Sequence, residues 1–282
     1  MRIVVALGGN ALLHRGERPD ATVLQTNVDR VATALAALAH EHELVITHGN
    51  GPQIGLLAVE SAADPALSAP YPLHLLGAQT QGLIGSLLAC TLHNALPGRR
   101  IATLVTHTLV RADDPAFDRP TKFVGRVRSR ESAVPSPAPE RIVETDTIHD
   151  LLGGGALVIC AGGGGVPVTA ERVTGALCGV EAVVDKDLTA AVLAEDLKAD
   201  FLLVLTDVPY VYEGYGTPGR RPLLDATPAE LRRHGFSDDR MGPKAEAVAR
   251  FVEHTGGLAA IGALDAAYEI VHGRSGTLVR PD

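Results

Sequence analysis

The feature that most constrains this chain is a recurrence: a short apolar run, a turn, then a segment with helical spacing. Arg2–Leu7 runs into Gly8-Gly9-Asn10, and Glu43–His48 runs into Gly49-Asn50-Gly51. Ala156–Ala161 runs into Gly162-Gly163-Gly164-Gly165, and Phe201–Thr206 into Asp207-Val208. Apolar runs of this length, without alternation, suit strands buried on both faces of a parallel sheet. Between them, Val23–Ala39 carries Val23, Leu24, Val28, Val31, Leu35 and Leu38 at helical spacing. Leu73–Leu92, Asp187–Leu197 and Ala245–Glu253 continue the alternation, and Pro228 opens a short helix. Leu258–Ile261, Asp265–Val271 and Gly276–Val279 complete it. The expected fold is a three-layer αβα sandwich with a mainly parallel central sheet and helices on both faces.

The turns are where chemistry is expected. In open α/β sheets, ligands bind beyond the carboxyl ends of the strands. Glycines there let backbone N–H groups approach an anion closely. Asp185-Lys186-Asp187 then stands at the mouth of an apolar helix, a position that favours negative charge. These residues admit two readings: a phosphate site with a lysine and an organising carboxylate, or a flexible glycine turn beside an ordinary charged cap. Neither GxGxxG nor a Walker A motif occurs, so the two commonest nucleotide fingerprints are missing. His48 has the makings of a ligand or base, but a structural role is the favoured reading. Tyr212 suits either the lining of a base pocket or ordinary aromatic filling.

Composition narrows the class. The chain has 282 residues, 46% apolar and only 4% aromatic, so its core is built from Ala, Val, Leu and Ile. A net charge of −8 and the lack of a Lys/Arg-rich tract argue against a nucleic-acid partner. Cys90, Cys160 and Cys178 are few and widely spaced, which predicts reduced, buried thiols in a cytoplasmic protein. The apolar start is too short for a signal peptide, and no run is expected to span a membrane. Of 25 basic residues only four are lysine: Lys122, Lys186, Lys198 and Lys244. A compact ammonium suits a single phosphoryl oxygen where a guanidinium does not fit. Lys198, near a helix end, reads as solvent-facing.

Residues 111–140 break the pattern. They hold Asp114-Pro115-Ala116-Phe117, Pro120-Thr121-Lys122, Arg126, Arg128, Arg130, Pro135, Pro137 and Pro139. This stretch is too polar and proline-rich for the core and reads as an excursion over the surface, a lid. Gly82, Gly85, Ala78 and Ala89 give Leu73–Leu92 a small-residue face, for a subunit contact or for packing on its own sheet. The loop after Phe201–Thr206 holds Gly214, Gly216 and Pro218.

Ala6–Leu12, Thr47–Gln53, Gly162–Pro167, Val183–Leu188 and Met241-Gly242-Pro243-Lys244 together resemble the carbamate kinases, of the amino acid kinase fold family. Asp114–Phe117 and Pro120-Thr121-Lys122 match that subgroup specifically. The resemblance spans nearly the whole chain. It implies one continuous eight-stranded sheet shared by two lobes. Residues 1–155, with the lid, would bind the small acid, and residues 156–282 would bind ATP or ADP. It also implies a homodimer that transfers phosphoryl reversibly between ATP and carbamate, giving ADP and carbamoyl phosphate. By that resemblance Gly8, Gly9 and Asn10 hold the moving phosphoryl group, and Gly49, Asn50 and Gly51 hold the acid. Lys186 and Lys244 contact nucleotide phosphates, Asp187 orients them, and Lys122 reaches over from the lid. Gly163, Gly164, Gly165, Thr206, Asp207, Val208, Tyr212, Met241, Gly242 and Pro243 belong to the nucleotide side. No protein ligand for a metal is implied, since Mg²⁺ would travel on the nucleotide phosphates. Departures are a shortened lid, Phe123 where proline is usual, and Asp238-Asp239-Arg240 where Glu-Gly-Ser is usual.

Overall fold

A computed structural model describes every residue except 15, 125–132, 218 and 237–240. Arg126, Arg128, Arg130, Pro218 and Asp238-Asp239-Arg240 therefore lie outside the described residues. The central sheet has eight strands: β1 (Arg2–Leu7), β2 (Glu43–His48), β3 (Ile101–Thr103), β4 (Leu157–Ile159), β5 (Phe201–Thr206), β6 (Asp225–Ala226), β7 (Leu258–Ala263) and β8 (Thr277–Val279). Their order is β6-β8-β7-β5-β1-β2-β4-β3. All neighbouring pairs are parallel except β7 with β8.

Side-chain alternation along β1 explains the three layers. Ile3, Val5 and Leu7 enter one core, with Leu24, Val28, Val31 and Leu35 of the helix Ala21–Glu41. Val4 and Ala6 enter the other, with Ala190, Ala191, Val248 and Phe251 from the helices Lys186–Asp196 and Met241–Thr255. The unbroken apolar run Ile3–Leu7 is thus filled on both faces.

The chain leaves β1 toward β2 on one side, and β5 returns on the other. The carboxyl ends of β1 and β5 thus flank a topological switch point, where open α/β sheets form their ligand crevice. Gly8 follows β1 and Asp207 follows β5 there. The strand β4 pairs between β2 and β3. It thus joins the N-terminal half of the sheet, although it begins beyond residue 155.

A second sheet was not expected from the sequence. It orders Leu177–Gly179, Val166–Ala170, His107–Val110 and Pro139–Ile142. The excursion's end at Pro139 is therefore strand, with Pro139 and Ile142 buried. Lys122–Phe123 pairs antiparallel with Ala133–Val134. The Pro135 carbonyl accepts from Val183 N at 3.0 Å, which ties the excursion to the chain just before Asp185.

Two expectations need correction. Only Cys160 is buried; Cys90 and Cys178 are exposed. Among the described residues one helix, Leu73–Ala95, is long and apolar enough by length and composition to cross a membrane. Its buried face explains that composition: Leu76, Ile84, Leu88 and Leu92 pack in the core, with Thr80 and Gln81 buried among them. Thr103 Cγ2 lies 2.4 Å from where a Cβ on Gly85 would stand, so that glycine serves packing on the helix's own sheet. Lys198 is exposed, as expected.

Candidate active site

Two glycine turns meet at the switch point. A Cβ on Gly49 would stand 2.8 Å from both Cα and N of Gly9, so the turns after β1 and β2 touch backbone to backbone. The first residue of each turn stays tied to the sheet: Gly8 N donates to Leu205 O at 2.8 Å, and Gly49 N to Leu7 O at 3.0 Å. Gly8 and Gly49 thus permit close approach rather than offering donors of their own. The helix Gly51–Ala63 starts immediately beyond, and its amino end favours an anion. Asn10 Nδ2 donates to Asp207 Oδ2 at 2.7 Å, bridging the ends of β1 and β5.

The second component is a charge cluster on the helix Lys186–Asp196. Asp185 caps it, accepting from Asp187 N and Leu188 N. Lys122 Nζ reaches Asp185 Oδ2 at 3.2 Å and Val184 O at 3.0 Å, so the excursion delivers its lysine here. Asp187 is buried and divides its oxygens between two ammoniums: Oδ1 to Lys186 Nζ at 2.5 Å, Oδ2 to Lys244 Nζ at 2.8 Å. Such charge-assisted bonds fix both lysines in place.

The electrostatics of the two lysines differ. Burial pushes Lys186 down to about 8; Asp187 opposes this, while Lys244 repels it further. Burial also works against the Lys244 charge, but Asp187 outweighs it and holds that ammonium above its ordinary value. Burial alone would raise the Asp187 carboxyl, yet Lys186 and Lys244 hold it well below the carboxylate range. For Asp185 burial is likewise overcome, chiefly by Lys122, and its carboxyl is lowered. The result is an anion-seeking pocket whose positive groups are in place before any ligand arrives.

A cleft of about 470 Å³ is lined by Gly8, Gly9, Asn10, Gly49, Asn50, Gly51, Lys122, Gly163, Asp185, Lys186, Asp187 and Pro243, among others. Thr206, Asp207 and Lys244 also line it. The same three residues line a second cavity of about 490 Å³, so the two share a wall. That second cavity holds Val208, Tyr210, Tyr212, Tyr215, Phe236 and Met241. Tyr212 and Tyr215 ring centroids are 6.3 Å apart, and the Arg220 guanidinium lies 5.4 Å from the Tyr212 ring. An aromatic-walled cavity beside a cationic one suits a ligand with a flat apolar ring and an anionic tail.

Not every expected residue faces these cavities. Gly164 and Gly165 line neither of them. A Cβ on Gly164 would stand 2.5 Å from Val184 O, and one on Gly165 2.1 Å from Thr108 Oγ1. Gly164 O accepts from the Thr108 and Thr189 hydroxyls instead. Gly163 does line the cleft, but beside Asn50, on the side of the β2 turn. Gly242 lines a smaller neighbouring cavity with Phe236 and Ala245. His48 is buried, its ring against Gly162, burial pushes it down to about 4, and it lines neither cavity, which fits the structural reading. Asp185, Tyr210, Tyr215 and Phe236 were not singled out from sequence. Only Asp185 left a signal there, as the first acid of Asp-Lys-Asp.

The comparisons with known proteins agree with this geometry. The family model described as "Amino acid kinase family" matches residues 1–261. A carbamate kinase of Rhizobium meliloti is 45% identical, over 99% of this chain and 93% of its own. One of Escherichia coli K12 is 44% identical, over 98% of each. The solved carbamate kinase of Giardia lamblia bound to AMP-PNP superposes with a TM-score of 0.94 at 34% identity, covering 100% of this chain and 98% of the other. The chain belongs to the amino acid kinase family, in its carbamate kinase branch.

Proposed function

We propose that this chain is a carbamate kinase, transferring phosphoryl reversibly between ATP and carbamate to give ADP and carbamoyl phosphate. The observation that carries this reading is the convergence of Lys122, Lys186 and Lys244, through Asp185 and Asp187, on the cleft floored by two touching glycine turns. Carbamate is already an oxyanion, so it attacks phosphorus without a general base. Phosphoryl transfer then needs alignment and neutralisation of charge on the equatorial oxygens. On this reading the N–H groups of Gly9 and Asn10 hold the moving group and those of Asn50 and Gly51 hold the acid; all four residues line the cleft, which supports it. Lys186 and Lys244 neutralise nucleotide phosphates, and Asp187 holds one ammonium on each of its oxygens. Lys122 adds a third charge as the excursion lies over the site.

The aromatic-walled cavity would take the adenine ring. On this reading residues 1–155, extended to include β4, serve the acid, and the later part serves the nucleotide. The carboxylates in the cleft are committed to protein donors: Asp185 and Asp187 to lysines, Asp207 to Asn10, Glu17 to His14 N and Asn27. That set fits Mg²⁺ carried on nucleotide phosphates better than a protein-built cage. Such an ion would supply further positive charge for the phosphate oxygens beside Lys186 and Lys244. Activity as a cytoplasmic homodimer, in arginine catabolism and toward ATP synthesis, completes the proposal. Exposed Leu56, Val59, Leu75 and Leu83, on two neighbouring helices, support the subunit contact.

The shortened excursion favours a second reading, a kinase of another small carboxylate or phosphonate. The alignment with the Rhizobium meliloti protein runs over 302 positions against 282 residues here, so this chain lacks residues that the relative carries. Turnover compared across carbamoyl phosphate, acetyl phosphate and phosphonates separates the two. Fastest ATP formation from carbamoyl phosphate is expected; faster turnover of another acyl phosphate moves the assignment.

A further inference from the structure

At the opposite end of the sheet from the cleft, Glu41, His42 and His272 place one ligand-type atom each within 4.8 Å of one another. Glu41 ends the helix Ala21–Glu41, His42 follows it into β2, and His272 follows the helix Ala267–Val271. The cluster therefore joins two segments some 230 positions apart, roughly the span of one domain.

Tyr268 orients two of the three groups. Its hydroxyl donates to Glu41 Oε1 at 3.0 Å. Its carbonyl lies 2.8 Å from His272 Nδ1. A carbonyl only accepts, so Nδ1 carries the hydrogen and the lone pair is left on Nε2. That nitrogen stands 3.6 Å from Glu41 Oε2. A ligating imidazole commonly has its other nitrogen held in this way, which fixes both tautomer and ring orientation. His42 supplies the independent observation. Both its ring nitrogens are buried without a hydrogen-bond partner. Buried, unmatched polar atoms are costly, and an ion would satisfy one of these two nitrogens.

We propose that Glu41, His42 and His272 form a site for a zinc-class divalent cation. Two neutral imidazoles and one carboxylate match the borderline-soft preference of such ions, and three protein ligands leave a fourth position for water. Tetrahedral zinc sites hold ligand atoms about 3.3 Å apart, as bonds of 2.0–2.1 Å require. The three atoms, now within 4.8 Å of one another, must draw together to that value as the ion binds. The ion ties the C-terminal helix to the end of the long first helix. It lies beyond the amino ends of β1 and β2, while the phosphoryl chemistry lies beyond their carboxyl ends, so its role is structural.

The test is titration of the full chain with ZnCl₂ by calorimetry, with Co²⁺ as a visible-absorption probe. One equivalent is expected to bind, with the absorption of tetrahedral cobalt, and excess Mg²⁺ is expected not to displace it. His272→Ala, at an exposed position, is expected to fold, to lose this binding and to keep its rate of ATP formation. Tyr268→Phe is expected to weaken binding about 10- to 100-fold. No stoichiometric uptake would overturn the proposal. So would uptake that persists in both His272→Ala and Glu41→Gln, which would place the ion elsewhere, at Cys90 or Cys178 for instance.

Discussion

Two sets of glycines lie within one packed neighbourhood and do different work. Gly9, Gly49 and Gly51 border the cleft beside Asn10 and Asn50, and the two turns touch there. Gly162, Gly164 and Gly165 are pressed against His48, Val184 and Thr108, away from it. The longer run is the more conspicuous in sequence, yet much of it is architecture. Gly163, Gly164 and Gly165 all have positive φ, a region that a Cβ disfavours. Glycine density thus marks where backbone must bend and pack. Ligand contact depends on which N–H groups remain unclaimed once the sheet has taken its share.

Substitutions that add one Cβ to each set sharpen the contrast. Gly49→Ala drives a methyl into the backbone of Gly9, displacing one turn against the other. A misplacement near 1 Å costs about 100-fold in rate. Steady-state ATP formation is therefore expected to fall by about that factor while circular dichroism is unchanged. Gly165→Ala meets Thr108 Oγ1 and an unfavourable φ of 79°. Its expected effect is a loss of about 2–3 kcal/mol in urea unfolding, with kcat per folded molecule nearly kept. A collapse of kcat in that variant, with stability unchanged, would reverse the contrast.

A third prediction concerns the charged side of the cleft. With Lys186 near 8 in the free chain, bound phosphate oxygens favour its ammonium and raise that value. ADP binding is expected to take up protons, more at about pH 9, where free Lys186 is mostly neutral, than at about pH 7. Calorimetry in buffers of different ionisation enthalpy reads this directly. The smallest effect is expected at Thr108→Val, which removes one hydroxyl donor from Gly164 O and leaves Thr189 in place. A loss of about 1 kcal/mol is expected in the same urea measurement, without change in kcat.

Much of this was legible because the central strands carry unbroken apolar runs and end in turns. β5 was bounded correctly from sequence, since Phe201–Thr206 is flanked by polar residues. The second sheet was not legible: Leu177–Gly179 is exposed throughout and Pro139–Ile142 buries only its ends, so neither shows a strand period. Lys186, Asp187 and Lys244 were identified through motifs, and their meeting is a fact of tertiary structure. Asp185 was passed over because an N-cap aspartate needs no other explanation. Its second bond, to Lys122, depends on how the excursion folds back. Tyr210, Tyr215 and Phe236 had no local signature at all.

The most direct measurement is ATP formation from ADP and carbamoyl phosphate, made on the unaltered chain and on Lys186→Ala side by side. Turnover by the unaltered chain is expected, with a fall of about 10²–10³ in the variant and its fold intact. Full activity in Lys186→Ala, or none in the unaltered chain, would contradict it.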